Sequence, residues 1–69
     1  MNWNTIEDIG EALFEAYPTV DPLTVRFTDM RDWIAALPEW NDDIHASNEA
    51  KLEAVQMAWY EIWKDEHAG

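Results

Sequence analysis

The stretch NTIEDIGEALFEAYP, residues 4–18, decides the fold class. At about 100° per residue, Ile6, Ile9, Gly10, Leu13, Ala16 and Tyr17 fall on one face of a helix. Strict alternation, the mark of a half-buried strand, is absent from it. Asn4 or Thr5 is placed to cap this helix, with Glu7 or Asp8 three residues on to complete a capping box. Pro18 ends it, because the residue before a proline is pushed out of the α region. Gly10 costs an interior helix position about 1 kcal/mol relative to alanine. A neighbouring helix or tryptophan ring is therefore expected to pack closely against it.

Working outward, Asp21-Pro22 is a second start signal, a capping acid followed by proline at the first helical position. The segment Leu23 to Phe27 reads as a single turn or an extended connector. Thr28 is expected to cap a second helix, in which Met30, Trp33, Ile34 and Leu37 repeat at i, i+3, i+4 and i+7 until Pro38 stops it. Residues Glu39 to Ala46 form an acidic loop. Ser47 is expected to cap the longest helix, Asn48 to Glu66, with Leu52, Val55, Trp59 and Ile62 in its buried stripe and Trp63 at the edge. The expectation is an all-α, compact three-helix domain, with an optional short fourth turn, around a tryptophan-rich core.

Composition agrees. Sixty-nine residues make one domain, 1–69. A chain this short buries only about 60 % of its unfolded surface, and its five tryptophans suit that constraint. There is no cysteine, which excludes disulfides, thiolate metal sites, thiol nucleophiles and cysteine-ligated clusters. Fifteen acids against four bases give a net charge of −11. Such a field repels nucleic-acid phosphates and anionic lipid and attracts cations. The apolar runs are too short to span a membrane. The first residues, Met1-Asn2-Trp3-Asn4, do not read as a signal peptide. A cytoplasmic monomer is expected.

Two acidic groups carry the candidate chemistry. On the first helix Glu7, Asp8, Glu11 and Glu15 lie opposite the core, and Glu7, Glu11 and Glu15 form an i, i+4, i+8 row with no basic residue between them. Each like-charge pair destabilises a helix by about 0.2–0.5 kcal/mol. The row is either a solvated face or a cation-binding surface, and its unrelieved repulsion favours the second. Glu39, Asp42 and Asp43 form the other group, beside Trp40 on the loop. Oxygen-only ligation suits hard cations. His45 and His67 have no histidine partner at i, i+4, Ser47 reads as a cap, and nothing resembling a nucleophile elbow surrounds it. So small a chain offers little room for a substrate cleft. A binding protein is expected, not an enzyme. Arg26, one of four bases, is expected to pair with Asp21 or Asp29.

The residues Gly10-Glu11-Ala12-Leu13, Ala16-Tyr17-Pro18, Val25-Arg26-Phe27-Thr28-Asp29-Met30, Trp33-Ile34, Asp42-Asp43, Ala46-Ser47-Asn48-Glu49 and Leu52-Glu53-Ala54 resemble the IscX family of iron–sulfur cluster assembly proteins. The likeness covers nearly the whole chain. Ile44 stands where the family pattern has proline, and the tail beyond Trp59 is longer than usual. The resemblance implies a modified winged-helix shape that is acidic where a DNA-binding version is basic. It also implies weak, exchangeable iron binding by surface carboxylates and docking on the basic surface of a cysteine desulfurase, whose output the protein adjusts. Carried over by position, the acidic residues concerned are Glu11, Glu15, Asp29, Asp42 and Asp43, with Glu11, Glu15 and Asp29 as the iron ligands. Without cysteine the protein is no cluster scaffold, which leaves an adaptor or regulator. The alternative is an acidic interaction module for an unrelated basic protein.

Overall fold

In the computed structural model, which describes residues 1–67, helix α1 runs Ile6–Ala16, α2 Phe27–Ala35 and α3 Glu49–His67. Single 3-10 turns at Pro22–Thr24 and Ile44–Ala46 punctuate the two connections. The all-α, three-helix expectation holds. No strand occurs among the described residues, so nothing there corresponds to the wing of a winged helix. No described helix is long and apolar enough to cross a membrane.

The helical part of the core lies within the set that the periodicity picks out, of which Ile6, Tyr17, Trp33 and Leu37 are half-buried. Ile9 and Leu13 of α1, Met30 and Ile34 of α2, and Leu52, Val55 and Trp59 of α3 are buried, together with Trp3 from the segment before α1. Ile62 and Trp63 are half-buried, and Ala16, the last residue of α1, is exposed. Helix α1 lies against α3 at very close range. A Cβ built on Gly10 would sit 3.0 Å from the backbone nitrogen of Trp59 and 3.1 Å from both the carbonyl carbon and the Cβ of Ala58. The close neighbour is therefore the backbone of α3 itself. Aromatic rings knit the helices from the other side: Tyr17 stacks on Trp33 at 4.2 Å, and Trp33 meets Trp59 edge-on at 6.2 Å.

The caps differ from the expectation in three places. Thr5 precedes α1, but its hydroxyl donates to the Asn2 carbonyl at 3.0 Å and accepts the Asn2 amide at 3.1 Å, so no capping box forms. The side chain is consumed by the preceding turn. Helix α2 begins at Phe27, with Arg26 as its N-cap and Thr28 already in its first turn. Phe27 packs against the core, and the helix starts two residues earlier than a Thr28 cap requires. The carboxamide of Asn48, not the Ser47 hydroxyl, accepts the Lys51 amide at 2.9 Å at the head of α3. The Ser47 amide instead closes the 3-10 turn onto the Ile44 carbonyl, which displaces the helix entry by one residue.

The Asp21-Pro22 signal holds, since the Asp21 carboxylate accepts the Leu23 amide at 3.0 Å. Gln56 of α3 donates to the Pro22 carbonyl at 3.0 Å and seats that turn. Arg26 does not pair with Asp21 or Asp29. It is exposed, and Lys64 with Glu61, at 3.1 Å, forms the ion pair found among the described residues.

Candidate acidic binding groove

The exposed face of α1 presents Glu7, Asp8, Glu11 and Glu15 to solvent, as the helical spacing requires. The chain after α2 brings Glu39 to that face. Asp8, Glu11 and Glu15 from α1 share with Glu39 a cleft of about 300 Å³ that also touches Thr5, Ala12 and Met1. A second hollow of about 270 Å³ continues it along α1, lined by Ala12, Glu15, Ala16, Leu37, Pro38, Glu39 and Met1. The two together form one groove, acidic at one end and apolar at the other. The two acidic groups of the sequence are thereby regrouped: Glu39 leaves Asp42 and Asp43 and joins the α1 row.

Asp42 and Asp43 are exposed, but both Asp42 oxygens and one of Asp43 accept backbone amides. One Asp42 oxygen accepts the Asp43 amide at 2.7 Å and the other accepts the Trp3 amide at 3.2 Å. The Asp43 carboxylate caps the second 3-10 turn by accepting the His45 amide at 2.9 Å, as Asp21 caps the first. The Trp3 indole donates to the Asp43 carbonyl at 2.9 Å, its ring meets Trp40 edge-on at 4.9 Å, and the Asn41 amide donates to the Met1 carbonyl at 3.0 Å. These bonds clasp residues 1–3 to residues 39–43 and hold one wall of the groove. Sequence reading missed the clasp. No local pattern announces a bond between residues 39 apart.

The amide of Asp43, and then that of Trp3, hold the Asp42 carboxyl below its ordinary value of 3.8. A carboxyl whose folded pKa lies below its unfolded one stabilises the fold at higher pH and loses that contribution as pH falls through the folded value. Asp42→Asn should therefore lower stability at pH about 6, with the gap to the parent closing below pH about 4. Urea midpoints across that range, followed by near-UV circular dichroism of the tryptophans, check this. A gap independent of pH would assign the effect to packing.

Asp29 is exposed in the first turn of α2, where an acid complements the helix dipole, and it lines neither part of the groove. Among the described residues no three His, Cys, Asp or Glu side chains stand close enough to hold a metal ion. Glu11, Glu15 and Asp29 are thus not drawn into one ligand set. His45 is exposed, and His67 meets the Pro18 carbonyl at 3.0 Å with its ring 4.6 Å from that of Trp63.

Comparison with known proteins adds two findings. The sequence model of a family described as "Iron-sulphur cluster assembly" matches residues 1–64. An uncharacterized protein of Pseudomonas aeruginosa is 44 % identical over 61 residues, which cover 88 % of this chain and 92 % of that protein. The family match reaches past Trp59 to residue 64, so it takes in half of the long tail.

Proposed function

The chain belongs to the iron–sulphur cluster assembly family, the IscX family its sequence resembles, and from that membership we propose that it is an acidic adaptor that docks on a cysteine desulfurase. The observation that carries this reading is the groove, where carboxylates from α1 and from the chain after α2 come together with no lysine or arginine among the lining residues. Carboxylates gathered at that density, in a protein of net charge −11, favour a cationic surface as the thing bound. The protein acts as a cytoplasmic monomer that adjusts the output of its partner.

Ferrous iron is proposed to bind at the same carboxylates, weakly and in fast exchange. Side chains that point outward from one helix face offer a diffuse negative potential, not a closed coordination sphere. Asp42 and Asp43 contribute through the wall they hold as well as through their charge.

The test is a titration against a purified cysteine desulfurase of the assembly machinery at low and high salt. Exposed charges are screened within about 8 Å at physiological ionic strength, so affinity should fall at least tenfold between about 50 and 300 mM salt. Affinity unchanged by salt sinks the electrostatic account. Tight, salt-sensitive capture of a different basic protein, with no binding to the desulfurase, favours the alternative of an unrelated interaction module.

A further inference from the structure

The apolar half of the groove is not explained by charge attraction. Ala12 and Ala16, one turn apart on α1, face Leu37 and Pro38 across a hollow of about 270 Å³. Glu15 and Glu39 border this hollow and also the acidic cleft beside it. We propose that the groove is a docking site for a partner segment that carries a lysine or arginine beside an apolar side chain. The inference rests on the reading of this surface as the acceptor of a basic partner and specifies what that partner must present.

Shape and charge point to the same occupant. A compact metal ion needs several oxygens converging on a point, and no such group of three exists among the described residues. The acidic side chains are instead spread along the groove, at positions 8, 11 and 15 on one wall and 39 on the other. An elongated cation matches that layout. Lysine and arginine lay their methylene stems along apolar surface and keep the charged head in a polar setting, which is the order in which the groove offers its two halves. The nearby positive group, the amino group of Met1, is bound to the Glu39 carbonyl at 3.0 Å and the Asn41 side chain at 3.2 Å. It braces the wall beside the cleft. A second copy of this chain is the wrong occupant, since both surfaces carry the same strong negative charge.

The apolar half also supplies what charge alone does not. Exposed ion pairs are individually weak and tolerant of position, whereas an apolar side chain seated between Ala16 and Pro38 fixes the register of the segment. Salt should therefore weaken binding without changing where the segment sits.

The test uses the full chain and a charge-neutral change. Ala16 is exposed at the end of α1, so Ala16→Trp fills the apolar half and leaves every carboxylate in place. Ala50→Trp, on the exposed side of the first turn of α3, is the control. A short synthetic peptide of alternating lysine and leucine is titrated into isotope-labelled protein, and a purified cysteine desulfurase is titrated in parallel. The peptide is expected to shift the resonances of Ala12, Ala16, Leu37 and Glu39. Ala16→Trp is expected to weaken both ligands at least tenfold with the same dependence on salt, and Ala50→Trp is expected to change neither. A peptide that shifts only the carboxylate row, or an Ala16→Trp variant that binds as tightly as the parent, overturns the inference. Self-association of the parent that Ala16→Trp abolishes gives the groove to a second copy and also overturns it. A peptide seated in the groove while the desulfurase fails to bind supports the groove and removes the desulfurase reading, so the two fail separately.

Discussion

Trp59→Ala should leave the protein unfolded at room temperature. Trp59 is fully buried, with 0 % of its surface exposed, and Trp33 meets it edge-on at 6.2 Å. Its backbone nitrogen would lie 3.0 Å from a Cβ at Gly10, so its side chain is rooted where α1 and α3 approach closely. Truncating a core aromatic to alanine costs about 3–5 kcal/mol through lost burial and the cavity left behind. A single core in a domain of this size supplies only about 3–5 kcal/mol in all. The loss is as large as the total. Collapse around the void is restricted, because Gly10 already holds the two helix backbones at contact distance. Trp59→Phe should behave differently. The indole N–H of Trp59 is buried without a hydrogen-bond partner among the described residues, and such a group carries a desolvation cost of about 1–3 kcal/mol. Phenylalanine removes that cost while it keeps most of the apolar ring, so this variant should fold with modest destabilisation. Amide dispersion in NMR spectra and thermal melts by near-UV circular dichroism distinguish the two. A cooperative melt of Trp59→Ala near the parent's midpoint would show that the core is built around some other residue.

Glu11→Lys should raise stability and lower partner affinity at least a hundredfold. Glu11 stands one turn from both Glu7 and Glu15 on the exposed face, and it borders both the main cleft and a smaller hollow shared with Glu61, Ala58 and Ile62. Lysine there replaces two repulsive i, i+4 pairs with attractive ones, each change worth some tenths of a kcal/mol. The new pair with Glu7 has the favoured orientation, with the acid nearer the helix N-terminus. A gain of about 1 kcal/mol raises the midpoint of a domain this size by about 4–8 °C. The same lysine faces an incoming basic surface, and like charges across an interface cost several kcal/mol. Ferrous-iron binding at the row should weaken with it. Melting curves, binding isotherms against the desulfurase and an iron titration on this one variant measure all three. Unchanged desulfurase affinity in a stabilised protein would make the α1 row a solvated face and move attention to Asp42 and Asp43.

The opposition between these two effects is legible in the residues alone. A helix places positions four apart on one face, so Glu7, Glu11 and Glu15 were bound to repel one another wherever the helix packed. Repulsion retained on a small, marginal domain is a cost without structural return, and it pointed to the face on which the groove lies. The apolar half of the groove had no such signature. Leu37 packs against the core as the α2 stripe requires, yet α2 ends at Ala35, and Leu37 and Pro38 also form a wall facing Ala12 and Ala16.

Residues 6–17, 30–37 and 52–62 determined by themselves that the protein is three helices with an aromatic core. The 3.6-residue period is a local property, and each apolar stripe has one way to leave water. Charge and the lack of cysteine likewise set what the surface attracts without reference to any fold. Tertiary structure decided which backbone lies against Gly10, why Thr5, Thr28 and Ser47 are not side-chain caps, and which acids act together. Glu39 reaches the α1 row, and Asp42 turns to the Trp3 amide at 3.2 Å across 39 residues of sequence. Caps are contests between nearby acceptors for one amide, settled by fractions of an ångström. The grouping of Glu39 with α1 depends on how segments well separated along the chain dock, and that is fixed by packing between them and not by any pattern within either.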